Sequence, residues 1–255
     1  MPKQDNGGEA VCRVLPHEVG HGPRQMALDE ALLDAVAADP REAVIRTYSW
    51  SIPTLSLGYF QTIAEAESDP RWAGVPIVRR PTGGGALWHD REVTYALVVP
   101  GTHPSARPSS ALYRAVHEAI AARLRDRGIP AARRGPVTPT DGPRPFLCFT
   151  DRDSEDVVCS GAKIVGSAQR RRAGAVLQHG SLLLSRSPTT PELPGLADLA
   201  PVDPAESGWR EFLLRALSDA LGLRFRDDGL RPDEAARAAQ LERDAYGHPS
   251  WTRRR

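Results

Sequence analysis

Two side chains in this sequence have the chemistry of a catalytic pair, the ammonium of Lys163 and the thiol of Cys148. Lys3 and Lys163 are the only lysines among the 33 Lys and Arg residues of the chain. An ammonium is compact and has three rotatable donors, so it fits sites that the planar guanidinium of Arg does not. Alternatively, Lys163 is present by chance in a sequence that is biased toward Arg. Its isolation marks Lys163 as a candidate and leaves both explanations open.

Cys148 lies upstream of Lys163, across the acidic stretch 150–156. If the two side chains meet, the ammonium favours the thiolate, which is the nucleophilic form of cysteine. A thiolate can accept and release an acyl group, as transfer from a thioester to an amine requires. Burial would oppose the thiolate, and so would the acidic stretch if it faced the thiol, so the net effect on the thiol depends on the folded geometry. The alternative is a core cysteine, because Phe146 and Phe149 flank this position.

Three consecutive glycines, Gly83, Gly84 and Gly85, follow a predicted strand that ends in Arg79 and Arg80. Glycines cost backbone entropy, and their usual benefit is close approach of the main chain to a ligand. The spacing is neither that of a Walker loop nor that of a dinucleotide-binding fingerprint. The loop therefore indicates a nearby ligand, with the two arginines available for an anion. A bulged hairpin is the alternative.

The composition is that of an ordinary globular protein with a net charge of +1 over 255 residues. This near-neutral balance argues against nucleic acid and membrane surfaces as partners. No apolar run approaches a membrane span or a signal core, so we expect a cytoplasmic location. Three cysteines without metal-ligand spacing predict neither disulfides nor a metal site. A monomer is expected, with the basic tip 251–255 as a solvated end.

Hydrophobic periodicity predicts helices and strands along most of the chain. Helices are predicted at 23–38, 109–127, 205–221 and 232–246. Strands are predicted at 43–48, 54–57, 76–80, 94–99, 157–160, 163–168 and 174–184. Strands dominate the middle and helices flank it, which predicts an α+β fold with a mixed β-sheet and helices mainly on one face.

The domain organisation expected from the sequence is simple. Residues 1–10 are expected to form a disordered lead, and 11–255 a single catalytic domain. Within that domain we expect a core at 12–185 and a C-terminal helical part at 205–250. Proline and glycine make 133–144 a predicted loop.

Several blocks of the sequence, in this order along the chain, resemble lipoate–protein ligases and the related octanoyltransferases. The blocks are residues 79–90, 94–97, 148–149, 163–170 and 177–184, with weaker matches at 26–33 and 55–61. The resemblance spans about residues 12–185. It implies the biotin/lipoate ligase catalytic-domain fold, with the three glycines at the border of an acyl pocket. It also implies that Lys163 points at the reacting carbonyl.

The resemblance divides into two chemistries. The ligases activate free lipoate with ATP and need no cysteine nucleophile. One octanoyltransferase branch uses a cysteine in a Cys-Phe context, which Cys148 and Phe149 match. That branch implies transfer of octanoate from acyl carrier protein, through a thioester on Cys148, to a lysine of the glycine-cleavage H protein. It implies no metal and no cofactor; ATP and magnesium belong to the ligase alternative.

The resemblance also suggests roles for further residues. Gly166, Ser167 and Ala168 would form a turn that stabilises an oxyanion, while His89 and His179 would line the pocket. Each histidine has the alternative of an ordinary core or strand-end position.

Two rival functions remain open at this point. The first is an ATP-dependent ligase, in which Arg79 and Arg80 would help to hold an adenylate. The second is a non-catalytic module that binds an acyl group or a lipoyl domain. Biotin ligation is disfavoured, because the arginine-rich glycine motif of that branch is missing. The sequence does not fix acyl length, nor the choice between H protein and a dehydrogenase E2 domain as acceptor.

Overall fold

The structure is a computed structural model that describes residues 11–138, 144–172 and 174–255. The predicted lead at 1–10 lies outside the described residues, as does part of the predicted loop at 133–144. The strands are β1 (Val11–Val14), β2 (Glu18–Gly20), β3 (Ala43–Trp50), β4 (Thr54–Leu57), β5 (Ile77–Arg79), β6 (Leu87–His89), β7 (Glu92–Pro100), β8 (Ala131–Arg133), β9 (Val157–Cys159), β10 (Ala162–Arg172), β11 (Ala175–Leu183) and β12 (Arg224–Asp227). The helices are α1 (Gly22–Ala38), α2 (Ile63–Glu67), α3 (Ala111–Asp126), α4 (Trp209–Leu221), α5 (Pro232–Leu241) and α6 (Pro249–Thr252).

The strands form one large sheet and one small sheet. The large sheet has the order β12-β1-β3-β7-β11-β10-β9-β8, and β2 also pairs with β3. The β12–β1, β1–β3 and β2–β3 pairs are parallel, and the remaining pairs are antiparallel. The small sheet has the order β5-β4-β6. The predicted mixed sheet and α+β class are confirmed.

Helices cover both faces of the large sheet, so their predicted placement mainly on one face is wrong. Every residue of β7 is buried. Tyr95 and Leu97 pack in the cluster that contains α3 and α4, while Ala96 and Val98 pack in the cluster that contains α1 and α5. Because neighbouring side chains on a strand point to opposite faces, a strand that is buried throughout must be covered on both faces.

The short strands at the ends of the large sheet were not predicted. β1, β2, β8 and β12 have three or four residues each, which is too short for a clear alternation of apolar and polar positions. β12 lies within the part predicted to be helical and pairs in parallel with β1. The C-terminal part therefore contributes an edge of the main sheet as well as helices. Among the helices described, none is long and apolar enough to cross a membrane.

Candidate active site

Cys148 is held beside the glycine loop by a short main-chain bridge. The amide of Ala86 donates to the carbonyl of Phe146 at 2.7 Å, and the amide of Cys148 donates to the carbonyl of Ala86 at 2.7 Å. A Cβ on Gly85 would stand 3.0 Å from both the Cys148 nitrogen and the Phe146 oxygen. The absence of a side chain at Gly85 thus lets the two segments approach. Cys148 is left half-buried.

Lys163 points at Cys148 from the neighbouring strand β10. Its Nζ lies 2.8 Å from Asp156 Oδ1, 3.0 Å from the Cys148 carbonyl oxygen and 3.6 Å from Cys148 Sγ. An ammonium has three donors, and these three acceptors account for all of them. The side chain is 7% exposed, as expected for a cation that is held by partners. The structure therefore brings together the two residues that the sequence singled out.

Gly166 provides the space in which the Lys163 side chain lies. A Cβ at Gly166 would stand 2.6 Å from Lys163 Cε and 3.1 Å from Nζ. The register of β10 against β9 shifts between Lys163 and Val165, and this irregularity directs the lysine toward the cysteine. The small residue and the bulge together set the position of the ammonium.

Asp156 belongs to the acidic stretch that we expected to oppose the thiolate, yet its carboxylate stabilises Lys163. Burial works against the ammonium, but the neighbouring Cys148 sulfur and the Asp156 carboxylate outweigh it and raise the pKa of Lys163. Burial also raises the pKa of Asp156, although the lysine opposes that shift. These contacts therefore favour the charged form of Lys163 at neutral pH.

Cys148 stands between an apolar cavity and a wider polar cleft. The apolar cavity is partly open to solvent, and its empty space, including the open mouth, is about 470 Å³; its walls include Met26, Tyr48, Leu87 and Phe149. Residues that line both spaces are Gly84, Cys148, Ser167 and Ala168. The cleft also contains Gly83, Gly85 and Lys163. This arrangement can take an alkyl chain on one side of the sulfur and a polar carrier on the other.

His89 and His179 both line the apolar cavity, and both are held by carboxylates. His89 Nδ1 lies 2.5 Å from Glu92, and its ring stacks on Trp50. Burial lowers the pKa of His89, although Glu92 opposes the shift. His179 Nδ1 lies 2.8 Å from Asp29 Oδ2, and its Nε2 lies 2.7 Å from the Thr82 hydroxyl of the glycine loop. The two rings thus support the cavity wall.

Arg79 and Arg80 direct their donors at the protein main chain, which differs from the expected contact with an anionic ligand. Arg79 is fully buried and donates to the carbonyls of Thr252, Gly58 and Gln61 at 2.6–3.1 Å. Arg80 donates to the carbonyls of Gly83 and Gly85 at 2.8 and 2.6 Å. Arg80 lines the apolar cavity, whereas Arg79 lies outside both spaces. In this structure both arginines fix the shape of the glycine loop and its neighbours.

His117 of α3 is a residue of the cleft that the sequence analysis missed. Its Nδ1 contacts the Glu155 carbonyl, which can only accept, so Nε2 accepts from the Ser167 hydroxyl at 2.6 Å. Ser167 Oγ in turn accepts from the Tyr95 hydroxyl at 2.7 Å. Burial lowers the pKa of His117 to about 4, which keeps the ring neutral. A histidine in an amphipathic helix resembles a core position, and its polar partners come from distant segments.

These features define a member of a known enzyme family. The chain belongs to the lipoyl protein ligase A/B catalytic domain family, whose model matches residues 21–190. It is 34% identical over 257 residues to the octanoyltransferase LipM of Kyrpidia tusciae, an alignment that covers 90% of this chain and 94% of that protein. It is 40% identical over 168 residues to LipM of Geobacillus kaustophilus, where 62% of this chain spans 60% of the relative's length.

Solved structures with this fold include a lipoate–protein ligase A bound with ATP. The chain is 25% identical to it, with a TM-score of 0.76 over 96% of this chain and 98% of that one. A candidate lipoate protein ligase of Thermoplasma acidophilum gives a TM-score of 0.78 at 24% identity, over 96% of this chain and 100% of that one. The predicted catalytic-domain fold is confirmed.

Proposed function

We propose that the protein is an octanoyltransferase that moves an octanoyl group from acyl carrier protein to a lysine of a lipoyl carrier protein. The observation that carries the proposal is the 3.6 Å contact between Lys163 Nζ and Cys148 Sγ, at the junction of an apolar cavity and a polar cleft. A ligase has no need of a thiol at this point. A transferase needs a nucleophile there, with a cation to support it.

In the first step, the Cys148 thiolate attacks the carbonyl carbon of the octanoyl thioester. A new carbon–sulfur bond forms, the bond to the donor sulfur breaks, and the donor leaves as a thiolate that takes a proton from solvent. Lys163 donates to the thiolate before attack and to the developing oxyanion afterwards, since the contact to sulfur is the longest of its three. The alkyl chain occupies the apolar cavity.

Main-chain donors on β10 offer further stabilisation of the oxyanion. β9 pairs with β10 only as far as Val165. Among the described residues, the edge of β10 that faces away from β11 therefore has no strand partner from Gly166 onward. Gly166, Ser167 and Ala168 lie in this strand and not in the expected turn, and the peptide N–H groups at alternate residues along the unpaired edge would donate to the oxyanion.

In the second step, the neutral amine of a carrier lysine attacks the acyl-enzyme. The carbon–nitrogen bond forms, the carbon–sulfur bond to Cys148 breaks, and the amine proton passes to the sulfur or to water. The glycine-cleavage H protein is the proposed acceptor. The donor thioester is already activated, so the proposed reaction uses no nucleotide and no metal. A donor of this kind also implies a cytoplasmic location.

The test is the intact mass of the protein after mixing with octanoyl–acyl carrier protein in the absence of ATP. Wild type should gain one octanoyl group and lose it when apo H protein is added, while Cys148→Ser should gain no thioester. Cys12→Ala is a matched control, because Cys12 is fully buried and burial raises the pKa of its thiol. That variant should acylate as wild type does.

Other outcomes would identify the rival functions. Transfer that occurs only with ATP, magnesium and free lipoate, and that survives Cys148→Ser, would make the protein a ligase. Tight binding of octanoyl–acyl carrier protein without any adduct or transfer would make it a binding module.

A further inference from the structure

A cluster of aromatic and arginine side chains lies on the surface beside the glycine loop. We call it the arginine–aromatic rim, and it consists of Tyr59, Phe60, Arg170, Trp251, Arg254 and Arg255. The sequence predicts a solvated end at 251–255. The structure instead packs this segment onto the loop that contains Tyr59 and Phe60.

Cation–π contacts hold the rim together. The Arg254 guanidinium lies 4.7 Å from the Tyr59 ring and 4.5 Å from the Trp251 ring. The Arg255 guanidinium lies 5.4 Å from the Phe60 ring. These contacts orient the guanidinium groups and leave them in contact with solvent. Phe60 is 69% exposed, which is unusual for so large an apolar side chain.

The rim is joined directly to the catalytic site. The Tyr59 amide donates to the Thr82 carbonyl at 2.8 Å, and a Cβ on Gly83 would stand 3.8 Å from the Phe60 ring. The Gln61 side chain donates to the Phe146 carbonyl at 3.0 Å, two residues before Cys148. A partner seated on the rim would therefore sit at the mouth of the cleft that leads to the sulfur.

The side chains of the rim include three arginines and no carboxylate. Within the described ranges, no carboxylate lies within ion-pair distance of Arg170, Arg254 or Arg255, whereas the neighbouring Arg253 pairs with Glu67 at 2.6 Å. Arg79 lies beneath the rim, and burial together with the charges of Arg254 and Arg255 lowers its pKa. A surface of this kind attracts an acidic partner and raises the rate of encounter.

The opposite side of the cleft has the reverse charge. Asp151 and Asp153 line it, together with Glu155 and Asp156, which are paired with Arg133 and Lys163. An incoming lysine amine is favoured on this acidic side, and an anion is favoured on the rim. Acyl carrier proteins hold their acyl chain on a phosphopantetheine arm, whose phosphodiester is an anion. The charge distribution thus separates the two carriers that the proposed reaction requires.

We propose that the arginine–aromatic rim is the docking surface for the donor, an acidic acyl carrier protein whose thioester arm enters the cleft past Gly83. This inference rests on the proposed function. The exposed Phe60 ring contacts an apolar patch of the carrier, and the guanidinium groups of Arg254 and Arg255 bind its carboxylates and the phosphodiester.

The test compares acylation of Cys148 by two donors, octanoyl–acyl carrier protein and the small octanoyl thioester of N-acetylcysteamine. The double variant Arg254→Glu/Arg255→Glu should slow acylation by the carrier protein ~10–100-fold at low ionic strength, the range typical of electrostatic steering. The rate of acylation by the small thioester should stay within about twofold of wild type, because electrostatic attraction to the rim does not contribute to that rate. Phe60→Ser should also slow only the carrier-dependent reaction.

A matched control reverses two arginines elsewhere, Arg41→Glu/Arg215→Glu. Both side chains are exposed, and neither lines the cleft. This control should leave both donors unaffected. The defect of the rim variant should shrink as ionic strength rises from about 0.02 M to about 0.5 M, because salt screens exposed charges.

Three results would overturn the proposal. Equal slowing with both donors would place the effect on the catalytic site, and no slowing with either would remove the rim from donor docking. Loss of affinity for a single-stranded oligonucleotide, with unchanged acylation by the carrier protein, would make the rim a nucleic-acid surface. The proposed function fails separately, if wild type forms no adduct with either donor. In that case the binding of octanoyl–acyl carrier protein to Cys148→Ser is measured by fluorescence anisotropy, with and without the rim substitutions. Weaker binding with the substitutions would support docking at the rim, and unchanged binding would contradict it.

Discussion

Gly166→Ala tests whether the position of the Lys163 ammonium controls acyl transfer. The added Cβ would stand 2.6 Å from Lys163 Cε, and ordinary contact begins at 3.4 Å, so the side chain must move by about 0.8 Å. The crowded atoms lie at the end of a flexible chain, so the lysine should shift while the fold persists. A displacement of ~1 Å in a catalytic group costs up to about 10²-fold in rate. We expect a decrease of roughly that size in the acylation of Cys148.

The assay is quenched-flow mass spectrometry of the octanoyl adduct, with the small N-acetylcysteamine thioester as donor so that docking does not contribute. Gly229→Ala is the matched control, because a Cβ at Gly229 would meet no atom within 4 Å. Lys163→Met removes the ammonium without crowding and should give a loss at least as large. A Gly166→Ala protein that melts as wild type does and acylates at the wild-type rate would refute the argument.

Three further predictions concern the residues around the sulfur. Asp156→Asn leaves the buried ammonium without its carboxylate and should lower the free energy of unfolding, measured in urea, by about 3 kcal/mol. Adding Lys163→Met should restore much of that stability. A double variant as unstable as the single variant would contradict the explanation. Burial lowers the pKa of His117 to about 4, whereas the pKa of an unfolded histidine is about 6.5. The unfolded state therefore binds the proton first as the pH drops from 6.5 to 4, and the free energy of unfolding should fall by roughly 3 kcal/mol over that range from its value at pH 7. His117→Gln should flatten the pH dependence of the urea midpoint over that range, and an unchanged slope would assign it to other groups. Met26→Ala widens the apolar cavity and should raise the preference for decanoyl over octanoyl donors about fourfold per added CH₂ in a competition assay; an unchanged ratio would mean that Met26 does not bound the alkyl chain.

The contact between Cys148 and Lys163 shows what the sequence can predict about this site. The rarity of lysine marked Lys163, and the Cys-Phe context marked Cys148, before any geometry was known. Asp156 was not singled out, because the charge of the 150–156 stretch does not say which carboxylate faces the ammonium. That choice depends on the pairing of β9 with β10, which only the folded chain determines.

The fold was predictable where periodicity is strong and not where the elements are short. α1, α3, α4 and β11 coincide with predicted elements to within a few residues, since each has a clear apolar pattern. β12 was missed because its four residues, Arg-Phe-Arg-Asp, contain a single apolar side chain, and its partner β1 supplies the reason for it to be a strand. Arg79 and Arg80 likewise resemble ligand-binding residues until their acceptors are known.

The hydrogen bonds of Arg79 to Thr252 have a consequence for the order in which the protein is made. Two of its nitrogens use the carbonyl of a residue 173 positions later, at 3.1 and 2.8 Å. β1 likewise lacks its parallel partner until β12 has been synthesised. When the glycine loop and Cys148 have emerged from the ribosome, Thr252 has not yet been synthesised. The Arg79 guanidinium, which must be buried, then still lacks this hydrogen-bond acceptor. The strand before the glycine loop therefore acquires its final support only after Thr252 has been synthesised, and a chain that stops before this residue lacks that support.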